Sequence, residues 1–187
     1  MSAIHLSKHN LSFIHIPKNA GSSVVDWLLN NFQTDIINGH PNLNMIKCHW
    51  DVKETFSIVR NPWARMVSAY FYLKQYGFYW EDNNIKSIDD FPTWDSFIDR
   101  LDYDTKSWNS LSTNQCEWIH PGVDYLLKAE TLTEDFKLIQ SLLGCDEPLP
   151  FINTSTHDNY KLYYTDMQKN KIASIFNRDI ELYKYLF

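Results

Sequence analysis

Phe13-Ile14-His15-Ile16-Pro17-Lys18-Asn19-Ala20-Gly21-Ser22-Ser23 is the stretch whose reading decides the fold. Leu11 to Ile16 is short, apolar and β-prone, and Pro17 ends it, so it reads as a buried strand. Ser22 or Ser23 suits a helix cap. Val24, Val25, Leu28, Leu29 and Phe32 then recur at helical spacing and give one apolar face. The unit is strand, tight loop, helix.

The same order recurs downstream. Thr55 to Val59 reads as a strand, Arg60-Asn61-Pro62 as a turn, and Pro62 suits the first turn of a helix. Met66, Val67, Tyr70, Phe71 and Leu73 supply that helix's apolar side. Asp35 to Ile37 and Met45 to His49 read as short strands, and Gly77 to Pro92 as an irregular insertion rich in Asp and Asn. Thr93 caps a helix through Leu101, and Tyr125 to Lys128 is a further strand. Thr133 caps a helix to Leu143, with Gly144 where a C-terminal cap belongs. Thr165 and Gln168 form a capping box that opens a last helix toward Tyr183. Strands alternating with helices imply an α/β domain with a central, mainly parallel sheet flanked by helices. No repeat or linker interrupts residues 1–187, so a single domain is expected.

The chain has 187 residues, 44% of them apolar, enough for a real core. Its formal net charge of −6 excludes a bulk basic field, and so no nucleic-acid partner is expected. An anionic ligand must be held by a few focused groups. Cys48, Cys116 and Cys145 are odd in number and widely spaced, which opposes a disulfide framework or a structural zinc. Met1 to Asn10 is polar, and no signal peptide or membrane-spanning run is seen, so a cytoplasmic location with no membrane segment is expected.

Ligands of parallel sheets sit at the carboxyl ends of strands, and a helix N-terminus there presents free N–H groups and a positive dipole end. Ala20, Gly21 and Ser22 are small enough for backbone to approach a ligand, Ser22 and Ser23 add hydroxyls, and Lys18 adds a compact cation. This is not the nucleotide-triphosphatase loop, whose Lys follows the glycines. Here Lys18 precedes them, and no acidic and hydroxyl pair is arranged for magnesium, so no metal is expected.

His15-Ile16-Pro17-Lys18-Asn19-Ala20-Gly21-Ser22-Ser23 resembles the phosphosulfate-binding loop of the sulfotransferase superfamily, closest to the carbohydrate (Golgi-type) branch. Phe56-Ser57-Ile58-Val59-Arg60-Asn61-Pro62-Trp63-Ala64-Arg65-Met66-Val67-Ser68-Ala69-Tyr70 is similar to that family's 3′-phosphate-binding segment. The later blocks Gln115 to Trp118, Glu130-Thr131-Leu132, Leu149-Pro150 with Asn153-Thr154-Ser155, and Asp179 through Phe187 continue the likeness. The resemblance implies a three-layer, P-loop-like fold and 3′-phosphoadenosine 5′-phosphosulfate as the donor. It places Lys18 at the bridging oxygen as a catalytic residue, Lys18, Asn19, Ala20, Gly21, Ser22 and Ser23 around the 5′-phosphate, and Arg60 and Ser68 on the 3′-phosphate. A guanidinium matches phosphate geometry, and a hydroxyl one or two turns into the helix reaches the same anion. The competing readings are a P-loop kinase or nucleoside triphosphatase and a non-catalytic nucleotide-binding module.

A hydroxyl acceptor needs a general base. His49, in Lys47-Cys48-His49-Trp50, is the first choice, because the resembling glycosaminoglycan enzymes carry a catalytic His upstream of the Arg60-type strand. His15 and His157 are the other histidine candidates, and a carboxylate base is the alternative that other branches use. Trp27 reads as core packing and not as an adenine platform. The aromatics of the 76–118 region, Tyr76, Phe78, Tyr79, Trp80, Trp94, Trp108 and Trp118, either stack on an acceptor or pack. Asp82, Asp89 and Asp90 lie among them and no Lys/Arg cluster does, which favours a neutral glycan or small alcohol as acceptor over a polyanion.

Overall fold

The computed structural model describes residues 2–81, 84–101, 109–152 and 157–187. Asp82, Trp108 and Asn153-Thr154-Ser155 fall outside the described residues, as do the side chains of Phe78, Tyr79 and Trp80. In chain order the strands and helices are β1 (Ser2–Leu6), β2 (Leu11–Ile14), α1 (Gly21–Asn31), β3 (Asp35–Asn38), α2 (Leu43–His49), β4 (Glu54–Val59), α3 (Pro62–Tyr76), β5 (Phe78–Glu81), β6 (Asn84–Ser87), α4 (Trp94–Arg100), α5 (Asn109–Ser112), α6 (Gln115–Trp118), β7 (Tyr125–Lys128), α7 (Leu132–Leu143), α8 (Asp166–Ile175) and α9 (Asn177–Tyr183). They form a mixed α/β fold in two compact units, Met1–Arg60 with Gln115–Thr154, and Asn61–Asn114 with Ser155–Phe187.

The first unit holds a five-stranded sheet in the order β3-β1-β2-β4-β7. β2 pairs parallel with β4, and β4 with β7. β1 is antiparallel to both of its neighbours, so β2, β3, β4 and β7 all run one way. β1 lies where the sequence reads as a polar lead-in. Ala3, Ile4 and Leu6 are buried there, between β3 and β2, so the segment carries no alternating pattern to announce it. Apolar side chains of α1 and α7 cover the sheet: Val24, Trp27, Leu28, Phe136, Ile139 and Leu143 cluster with Ile4, Leu11, Phe13, Phe56, Ile58 and Leu127. Trp27 is core, as expected, and its Nε1–H donates to the Glu147 carbonyl at 2.7 Å.

Two local readings change. Met45 to His49 is helical and not a strand, because the Asn42 side chain accepts from Met45 N at 3.0 Å and so caps α2, which buries Leu43 and Ile46 three apart. α7 starts before Thr133. The Asp135 carboxylate reaches back to the Lys128 N–H and the Thr131 hydroxyl, both at 2.9 Å, and orders the start instead.

The second unit is built on α3. Asn61 caps it by accepting from Trp63 N and Ala64 N, and Gly77 closes it in the left-handed region at φ 77°. The 77–92 stretch, read as irregular, holds an antiparallel β5–β6 hairpin. Trp94 packs against Tyr70, Phe97 and Tyr164, with its Nε1–H donating to Gln168 Oε1, so this aromatic is internal to the unit. The Thr165–Gln168 capping box forms as read, but the terminal helix divides at Phe176 into α8 and α9. Among the described residues no helix is long and apolar enough to cross a membrane.

Candidate functional site

The loop between β2 and α1 turns by placing two non-glycine residues, Lys18 at φ 69° and Ala20 at φ 62°, in the left-handed region. Each such residue costs roughly 1–2 kcal/mol unless its surroundings compensate. The compensation centres on Asn19, which lies between them and is only 1% exposed. Its Nδ2 donates to the Ile58 carbonyl and to Gln115 Oε1, both at 2.7 Å. Ala20 occupies the cap position of α1 and offers no side-chain acceptor, so neither Ser22 nor Ser23 is the cap. Ser23 is buried, its N–H donates to the Ala20 carbonyl at 3.2 Å, and its hydroxyl oxygen accepts from Ile152 N at 3.0 Å. Ser23 therefore braces the turn from within, while Gly21 and half-buried Ser22 open the helix.

Gly21 is required by contact. A Cβ built there meets His15 Cδ2 at 2.1 Å and Nε2 at 2.3 Å. The His15 ring thus fills the space under the helix start. It is 1% exposed, and neither ring nitrogen has a hydrogen-bond partner. Burial first, then the charges of His40, the N-terminus and Lys18, hold its pKa well below the usual histidine value. His15 is therefore neutral at physiological pH.

Arg60 follows directly on the carboxyl end of β4, and its Nη1 donates to the Lys18 carbonyl at 3.2 Å. Residues 42 apart in sequence are so brought to one turn. Burial, and secondarily the Arg60 charge, lowers the Lys18 pKa to about 7. Arg60 and the Lys18 ammonium at one helix N-terminus are an arrangement that can attract an anion in a chain of net charge −6.

The histidines separate by strand polarity. His49 ends α2, is exposed, and stacks edge-on with Trp50 at 5.5 Å. Trp50 in turn stacks on His5 at 5.1 Å, and His5 pairs with Ser12 in β2. That is the amino-terminal half of β2, whereas Lys18 lies beyond its carboxyl end, so the structure does not bring His49 to the loop. His40 comes two residues after β3, at the same strand end as Lys18. Its Nδ1–H donates to the His15 carbonyl at 3.0 Å, and its ring meets the His15 ring at 5.1 Å and Trp118 at 6.1 Å. A carbonyl only accepts, so this bond places a proton on Nδ1. Sequence reasoning passed over His40, whose available signal was a histidine following Gly39 at the end of a strand.

Ser68 is buried on α3 of the second unit. His157 is in that unit too, against Phe71 at 5.4 Å. Gln115, whose block the sequence marked without a role, is completely buried and bonds to Asn19 and to the Arg60 backbone.

Residues 2–186 match a family model described as "Sulfotransferase family". Among solved structures, mouse sulfotransferase SULT7A1 complexed with PAP is similar to this chain, with 15% identity, a TM-score of 0.52, and coverage of 94% of this chain and 87% of that one. That likeness supports the fold. No curated protein is matched by the sequence.

Proposed function

The chain belongs to the sulfotransferase family, whose chemistry is sulfuryl transfer, and we propose that its donor is 3′-phosphoadenosine 5′-phosphosulfate and its acceptor a hydroxyl of a carbohydrate or small alcohol. The observation that carries the donor reading is the Arg60–Lys18 contact, which gathers the cations of both phosphate motifs at the opening of α1. The solved relative's bound PAP supports the same nucleotide class.

In this reading the N–H groups at Gly21 and Ser22 and the Lys18 ammonium hold the 5′-phosphate, with Asn19, Ala20 and Ser23 shaping the turn beneath it. Arg60 holds the 3′-phosphate. Ser68 joins it there on the strength of the motif alone. The acceptor oxygen forms a bond to sulfur in line with the bond that breaks, and Lys18 stabilises the negative charge arriving on the departing phosphate oxygen. The acceptor's proton goes to a base. His40 fits that role better than His49, since its ring is at the loop end of the sheet, beside the His15 ring. The free thiols of Cys48, Cys116 and Cys145 support a reducing, cytoplasmic setting. Residues 1–187 act as one sulfotransferase domain.

Thermal unfolding with 3′-phosphoadenosine 5′-phosphate beside ATP and adenosine 5′-phosphate tests the donor. At one hundred times its dissociation constant the right ligand adds about 2.7 kcal/mol of stability. Equal stabilisation by nucleotides lacking the 3′-phosphate sinks the proposal. Tight binding with no transfer of labelled sulfate to any hydroxyl acceptor favours a non-catalytic module.

A further inference from the structure

Gln115 opens α6 with its side chain completely buried. A buried primary amide must find partners for one carbonyl oxygen and two N–H groups. Oε1 accepts from Asn19 Nδ2 at 2.7 Å and from Arg60 N at 2.8 Å, which occupies both lone pairs. Nε2 donates to the Arg60 carbonyl at 2.8 Å. The amide therefore pairs with both backbone groups of Arg60, as a neighbouring strand would, one residue past the last β4–β7 pair, Val59 with Lys128. A ring of contacts then closes: Asn19 to Gln115, Gln115 to the Arg60 backbone, and the Arg60 guanidinium to the Lys18 carbonyl.

We propose that Gln115 is a positioning residue that sets Arg60 against the Lys18–Asn19 turn and so governs recognition of the nucleotide's 3′-phosphate. The proposal rests on the donor reading above. Size and polarity both matter at this position. Glutamate keeps an acceptor for Asn19 and Arg60 N but opposes a carboxylate to the Arg60 carbonyl. Methionine fills the space and makes none of the three bonds. Generic packing would leave discrimination between nucleotides untouched, because it acts on the fold as a whole.

The test is calorimetric binding of 3′-phosphoadenosine 5′-phosphate and of adenosine 5′-phosphate to wild type, Gln115→Met, Arg60→Ala and the double variant. Wild type is expected to prefer the 3′-phosphorylated nucleotide. Gln115→Met should shrink that preference by about tenfold or more, the effect of misplacing one charge-assisted contact. The double variant should discriminate no worse than Arg60→Ala alone, because Gln115 acts through that residue. A preference unchanged in Gln115→Met, or losses that add in the double variant, overturns the inference while leaving the donor reading intact. No preference in wild type overturns the donor reading, and this inference with it. If Gln115→Met does not fold, Gln115→Glu decides: a reduced preference supports the role and an unchanged one refutes it.

Discussion

Lys18 gives the sharpest prediction, because its pKa of about 7 puts half of its charge at risk at neutral pH. If the nucleotide is gripped by the ammonium form, affinity follows the fraction protonated. That fraction is about one half at pH 7 and about 0.01 at pH 9, so the association constant should fall roughly 50-fold across the window. Phosphate groups are already dianionic there, with a second pKa of about 6, and His15 is neutral throughout. Binding restores the proton, so calorimetry at pH 8 in two buffers of different ionisation enthalpy should show uptake of about 0.9 proton per nucleotide. The linkage has the opposite sign for folding. The folded pKa lies below the ordinary lysine value of about 10.4, so between pH 7 and 10 the unfolded chain carries the extra proton, and through this group the empty protein gains stability as pH rises. Lys18→Met should abolish both slopes and weaken binding at pH 7. A wild-type affinity flat from pH 7 to 9 with no proton uptake, or the same slope in Lys18→Met, would refute the reasoning.

Other perturbations test neighbouring parts. Gly21→Ala puts a methyl 2.1 Å from the His15 ring, so nucleotide binding should be lost and melting temperature should fall, with about 1–3 kcal/mol of overpacking seen in denaturant unfolding. His40→Ala should lower kcat by about 10²–10⁴-fold with nucleotide affinity retained, while His49→Ala leaves kcat near wild type; the reverse pattern in the transfer assay would return the base to His49. Asn19→Leu strips the turn of its bonds to Ile58 and Gln115 and should cost about 1–3 kcal/mol, read by urea unfolding. Thr165→Ala removes the cap of α8 for about 1 kcal/mol and, being outside the site, should leave nucleotide affinity unchanged.

Much of this arrangement is legible in the sequence, for reasons that differ residue by residue. β2 ends at Ile14, shortly before Pro17, and β4 at Val59, just before Arg60-Asn61-Pro62, so punctuation and apolar runs located both motifs at strand ends. The capping box at Thr165 reports itself, because both partners are three residues apart. β1 did not announce itself, since a strand buried between two others shows no alternation. α2 was misread because five residues of mixed polarity carry too little periodicity, and its cap, Asn42, lies upstream of them. The choice between His40 and His49 depends on which end of the sheet each occupies. That follows from β1 running opposite to β2 and β3, a fact of pairing with no local sequence signal. Gln115 was opaque for a related reason: its partners are 96 and 55 residues away.

Several unfavourable terms of the first unit meet at one turn. Lys18 and Ala20 hold left-handed backbone without being glycine, the Arg60 charge is close enough to lower the Lys18 pKa, and His15 and Asn19 Oδ1 are buried polar groups left without hydrogen-bond partners. Each alone costs on the order of 1–3 kcal/mol. The core beneath, where Phe13, Phe56, Trp27 and Phe136 interlock, supplies the excess that lets the turn persist. An anion bound at Lys18 and Arg60 would relieve the charge repulsion and satisfy the helix start at once. The turn is therefore arranged to favour negative charge, and in the proposed reaction the same arrangement would serve catalysis. In the proposed reaction charge would grow on the leaving oxygen as the bond to sulfur breaks, and Lys18 would meet it with little further motion, because Arg60, Asn19 and Gln115 already hold its backbone in place.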